Sequence, residues 1–135
     1  MPVQLSTAVR NARLDAIEAT IGASGKLKLL TGAIPANTAA SDTGTVVATI
    51  DLPADWMANA SGGSKAMSGT WADASADAPG TAGYFRLYAA DGATCHLQGT
   101  VSATGGGGDM TLDNVVFAAG QNFQITSFVL TDGNG

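Results

Sequence analysis

The sequence predicts a mainly β fold: an antiparallel β-sandwich or jelly-roll-like domain carrying one N-terminal α-helix. Three observations lead there. Glycine fills 18 of 135 positions, about twice its usual share in globular chains. Apolar residues make up 45% of the chain while charged residues make up only 13%, about half the usual charged fraction. The hydrophobic period is helical in one early segment and close to two almost everywhere after it. The length suits one compact domain. Scarce charge excludes the charged heptads of a coiled coil and the charge-driven type of disorder, and the glycines follow no three-residue collagen period.

The helix is expected over residues 6–21, STAVRNARLDAIEATI. Ser6 or Thr7 supplies a hydroxyl for the free N–H groups of the first turn. Val9, Ala12, Ala16 and Ala19 form one stripe, and Leu14, Ile17 and Ile21 form a second. Gly22, with Gly25 close behind, is a stop signal. A lone helix of about four turns is marginal in water, so this one must dock on its own body or on another subunit. Residues 1–22 are therefore read as an arm and helix, and 23–135 as a β body, within one domain overall. Arg10, Arg13, Leu14, Ile17 and Ile21 are candidate interface residues.

The strands follow in order. Residues 26–31 (KLKLLT) alternate, and 32–44 are turn chemistry throughout, with Pro35, Asn37 and Asp42. Residues 45–52 (TVVATIDL) place Val46, Ala48, Ile50 and Leu52 on one face. Pro53 ends that strand, Asp55–Met57 reads as a possible single helical turn, and 65–72 reads as one further strand. Residues 81–89 and 93–102 form the clearest pair, joined at Asp91–Gly92 by an expected type I′ hairpin. Tyr84, Arg86 and Tyr88 share one strand face. Because Tyr and Arg are enriched at interface hot spots, they complete the candidate contact set. Gly105–Gly108 reads as a flexible connection to strands over 110–117 and 123–131, ahead of a polar tail at 132–135.

Charge is unevenly distributed. Residues 1–28 hold four basic groups against two acidic ones, a net +2, while 29–135 hold two against nine, a net −7. The asymmetry suggests a docking segment and a solvated body. The overall charge of −5 argues against nucleic acid, whose phosphates need clustered Lys and Arg. One cysteine allows no internal disulfide. Neither a signal peptide nor a membrane-spanning stretch is expected.

Catalytic patterns are lacking. Cys95 and His96 adjoin, but consecutive strand residues point to opposite faces, so a dyad is not expected. Cys95 reads as a small core residue beside Leu97, and His96 as exposed. One Cys and one His do not make a zinc site, and no G-x-S-x-G elbow is present. The glycine run lacks the following Lys-Ser/Thr of a phosphate loop. Asp109 and Asp113 lack EF-hand spacing and read as solvated turn acids. No catalytic residue, cofactor or metal is assigned. Trp56 and Trp71 are core or interface anchors, or, with Tyr84 and Tyr88, a stacking platform for a sugar.

The segments QLSTAVRNARLDAIEATIG, DLPADWM with SGTW, and ATGGGGDMTLDN followed by FQITSFVLTDGN resemble small virion structural proteins of tailed bacteriophages and prophages, over nearly the full length. The resemblance implies a non-enzymatic capsid decoration or cement protein. Such a protein bridges major capsid protein subunits or other virion proteins as a homo-oligomer, is located in the virion, and contacts neither nucleic acid nor membrane. A tail, fibre or head–tail connection component, or a carbohydrate-binding β module, is the alternative.

Overall fold

The computed structural model describes residues 3–132, so positions 133–135 of the expected polar tail lie outside the described residues. One helix, α1 (Thr7–Ile21), precedes ten strands: β1 (Lys26–Thr31), β2 (Val46–Asp51), β3 (Ser64–Ala66), β4 (Trp71–Asp73), β5 (Gly80–Tyr88), β6 (Cys95–Ala103), β7 (Met110–Leu112), β8 (Val116–Phe117), β9 (Phe123–Ile125) and β10 (Val129–Thr131). The mainly β, sandwich-like architecture with one N-terminal helix is the expected one.

α1 begins and ends where its capping residues dictate. The Ser6 hydroxyl accepts from Val9 N–H at 3.2 Å. Gly22, at φ +84°, donates to Glu18 O at 2.8 Å, a left-handed stop that glycine adopts without steric cost.

The main sheet runs β2-β1-β5-β6-β7, with β8 against the start of β5. Its register sets two faces. Leu27 pairs with Leu87 and Ile50, and Leu29 with Phe85 and Ala48. These side chains form the core face, which is closed by Trp56, Trp71, Phe128 and the small ribbons β3–β10 and β4–β9. Trp71 stacks at tilted angles on Trp56 and Phe128, at 6.0 and 5.8 Å between ring centroids. Phe128 meets Phe85 edge-on at 5.4 Å.

Several elements depart from expectation. Residues 55–57 form no helical turn; Met57 bridges Met67 instead. The three long expected strands at 65–72, 110–117 and 123–131 are each broken into two short ones, because each half pairs with a different neighbour. The sheet is mixed, since β6 and β7 are parallel. Parallel neighbours ordinarily need a long crossover. Here the glycine run doubles back within residues 104–109, with Gly105 and Gly107 at φ +87° and +82°. Gly108 N–H donates to the Ser102 hydroxyl at 2.9 Å, so the run is a tied reversal rather than a loose connection.

The hairpin between β5 and β6 is real, but its turn is not type I′. Ser24 is the one non-glycine residue at positive φ among the described residues, whereas type I′ requires positive φ at Asp91 as well. Instead Asp91 accepts from Ala93 N–H, Thr94 N–H and the Thr94 hydroxyl, which makes a longer Asx-type loop. The register then slips between Leu87 and Tyr88, so that Leu87 opposes Leu97 and Tyr88 opposes Cys95. His96 bulges out exposed, and Cys95 leaves the Leu97 face. A second slip, between Leu29 and Leu30, puts Val46 opposite Leu30, away from the face of Ala48 and Ile50.

Candidate functional site

The strip Tyr84, Arg86 and Tyr88 is not a free contact surface. All three side chains are buried, because residues 32–44 fold back over them as a closed Ω-type loop. Thr31 N–H donates to Thr45 O, and Thr45 N–H to the Thr31 hydroxyl, both at 2.9 Å, which closes the neck of the loop. Arg86 then spans its interior. Its guanidinium donates to Asn37 O at 3.0 Å, Ala40 O at 2.9 Å, the Asp42 carboxylate at 2.8 Å and Gln98 Oε1 at 2.9 and 3.0 Å. Tyr84 O–H donates to Thr43 O at 2.6 Å, Gln98 Nε2–H to Pro35 O at 2.8 Å, and Tyr88 O–H to Asp42. Gly83 makes the approach possible: a Cβ there would lie 2.3 Å from Gly32 O.

Burial, together with the Asp42 carboxylate, pushes Tyr88 up to about 12 from 10.0. A group whose folded pKa is raised stabilises the fold below its unfolded pKa and loses that contribution as pH rises toward the folded value. Stability is therefore expected to fall between pH 10 and pH 12, and Tyr88→Phe is expected to flatten that part of the curve. Denaturant midpoints measured across this range, alongside tyrosinate absorbance, check it. Cys95 lies at the edge of this network beside Arg86 and Tyr88, half-buried rather than in the core. Burial pushes its thiol up, with Arg86 working in the opposite direction, so it is held protonated, the unreactive form.

The helix is likewise part of the body. Leu14 and Ile21 are buried, and Ile17 packs half-buried against the core cluster. Lys65, only 1% exposed, sends its ammonium to Asp15 at 2.6 Å and Glu18 at 2.9 Å. The same two carboxylates accept from Ala60 N–H and Met57 N–H. Trp56 Nε1–H donates to Gly22 O at 3.0 Å, and Asn11 Oδ1 accepts from Gly63 N–H at 2.9 Å. Arg13 pairs with the Asp132 carboxylate at 3.1 Å, and Arg10 donates to Asp132 O at 3.3 Å. Lys65 carries no sequence signal for this role, because a lone Lys in a short strand ordinarily reads as a solvated charge.

Among the candidate interface residues, Arg13 and Ile17 remain at the surface of an open groove. One arm of it runs between α1 and β6, where Ala16, Ile17 and Thr20 face His96 and Leu97. A second runs between α1 and the end of β10, at Leu14, Thr131 and Asp132. Both lead to a cleft of about 400 Å³ between β6 and β10, floored by Phe85 and Phe128. Asp109 marks one end of this cleft and accepts from Thr100 N–H and the Thr100 hydroxyl at 2.9 and 3.0 Å. Asp113 accepts from Thr104. Among the described residues no group of three or more His, Cys, Asp or Glu side chains is placed to hold a metal.

Trp56, Trp71, Tyr84 and Tyr88 are all interior, which leaves the carbohydrate reading without its expected stacking platform. The remaining surface charge is acidic, because every Lys and Arg is engaged within the chain: Lys26 with Asp51, Lys28 with Gly92 O and the Tyr88 ring, and the other four as above. Of the four basic groups expected to form a docking surface in residues 1–28, Arg13 and Lys26 pair with the Asp132 and Asp51 carboxylates, and Arg10 and Lys28 bond to the Asp132 and Gly92 carbonyls. No helix among the described residues is long and apolar enough to cross a membrane. Comparison with protein-family models, characterised proteins and solved structures finds no match to this chain.

Proposed function

We propose that the protein is a non-enzymatic structural component of a tailed-phage virion, decorating or cementing the capsid by bridging major capsid protein subunits and acting as a homo-oligomer. The observation that carries this reading is the open groove along α1, β6 and β10. The sequence resemblance of the helix, the DLPADWM segment and the glycine-rich C-terminal third points in the same direction. A lattice part must be rigid, and the Arg86 and Lys65 networks brace the sheet and the helix. It must also attach repeatedly, and modest contacts multiplied over a lattice sum to firm binding.

The test is electron microscopy of labelled protein on particles made from the genome that encodes it. Copies distributed over the capsid surface are expected. Density confined to the tail or the head–tail junction would replace the capsid assignment with the tail or connector reading. Particles that bind none would overturn the virion role.

A further inference from the structure

Among the described residues, the cleft between β6 and β10 is bounded by two stretches of strand edge without a strand partner, residues 96–98 of β6 and 129–131 of β10. In β10, Phe128 O accepts from Met67 N–H at 3.0 Å and Asp132 N–H donates to Gly63 O at 2.9 Å. The even-numbered residues therefore face β3, and the peptide groups of Val129 and Thr131 face the cleft. In β6, Thr100 N–H turns away from β5 to the Asp109 carboxylate. By the same alternation, Gln98 presents its N–H and C=O on that side. Phe85 and Phe128 supply an apolar floor. Two open edges around an apolar floor fit an added strand.

We propose that this cleft accepts residues Val3–Leu5 of a second copy as an inserted strand. Ser6 is extended, at φ −64° and ψ 157°, so the chain enters α1 through extended backbone at that residue. Val3 is 76% exposed, more than any other large apolar side chain among the described residues. The order Val3-Gln4-Leu5 is apolar, polar, apolar, which suits a strand with one face on Phe85 and Phe128 and the other toward solvent. The open edges at 96–98 and 129–131 are each about 10 Å long at about 3.3 Å per residue, enough to pair with Val3–Leu5. The molecule thus carries two open strand edges and, ahead of α1, an alternating segment whose Val3 side chain lies in solvent. Exchange between copies joins them without new folding, either reciprocally as a dimer or head to tail as a chain.

The biological use of this contact rests on the virion reading, but self-association of the purified protein does not. The experiment is sedimentation over a concentration series of the wild type, Val3→Asp and Val129→Pro. The proline removes only the N–H that faces the cleft, since pairing with β3 uses the neighbouring residues. The wild type is expected to associate, and each variant to weaken association by about tenfold or more with an unchanged thermal transition. Amide exchange at Gln98, Val129 and Thr131 should slow as the wild type associates.

A wild type that stays monomeric, or a folded variant that associates like the wild type, would overturn the proposal. If Val129→Pro does not fold, Val3→Asp decides alone, because its side chain lies in solvent. A monomer that still coats capsids would sink this inference and leave the virion role standing. Oligomers that ignore particles would do the reverse.

Discussion

Replacing Arg86 by alanine is expected to destabilise the protein by about 3–5 kcal/mol and to open the loop over residues 32–44. Arg86 is 2% exposed, and its guanidinium donates to Asn37 O, Ala40 O and Gln98 Oε1 while pairing with Asp42. Alanine leaves Ala40 O and Gln98 Oε1 without their donor and Asn37 O with only the Ala40 N–H, and each unsatisfied buried group costs about 1–3 kcal/mol. Arg86→Lys should rescue little, because an ammonium cannot reach carbonyls and a carboxylate on several sides as a planar fork does. Chemical denaturation gives the stability loss, and limited proteolysis within 33–43 reports the loop opening. A variant with an unchanged midpoint and a protected loop would show that the lid is held by its closed neck and by Tyr84, not by Arg86.

The second large effect is expected from Asp15→Asn combined with Glu18→Gln, as a clear drop in the thermal midpoint. These changes leave the Lys65 ammonium buried without a counter-charge. The reverse change, Lys65→Met, should cost less. It removes the buried charge, keeps most of the stem's packing, and leaves the carboxylates at sites where Asp15 is 47% and Glu18 21% exposed. Hydration reaches the acids but not the ammonium, and that sets the order. The Lys65 hydrogen bond, followed by the Ala60 N–H, holds Asp15 below the usual carboxylate range. Its contribution is therefore present at neutral pH and is lost as pH falls through its lowered folded value. Removing residues 3–21 strands Lys65 in the same way, so the β body is not expected to fold without α1. Of the two places the helix could dock, its own body or another subunit, α1 packs on its own body. Thermal melts of the three variants check the order, and a cooperative transition in the truncated chain would show that α1 is dispensable.

Local features were legible wherever a short stretch of chain decides them. Ser6 and Gly22 bound α1 because capping depends on a handful of adjacent groups. The alternation in 26–31 and 81–89 set which residues share a face, since the pleat has a fixed period of two. Cys95 escaped because a single slipped residue at His96 reverses its face relative to Leu97, and a slip depends on the partner strand. The half-length strands escaped for a similar reason: 110–117 and 123–131 are each uniformly β-like, and only their different neighbours divide them. The open edges of β6 and β10 were out of reach, because an unpaired strand edge is defined by what does not lie beside it.

The sequence by itself determined a mainly β chain with one capped N-terminal helix, glycine-rich reversals and an acidic balance, since composition, period and capping act over a few residues. Only the tertiary structure decided which surfaces are free. Tyr84, Arg86 and Tyr88 have the composition of a contact strip, yet residues 32–44 fold over them. Lys65 has the composition of a solvated charge, yet Asp15 and Glu18 neutralise it in the interior. Exposure and charge pairing depend on residues distant in the chain that meet only when it folds.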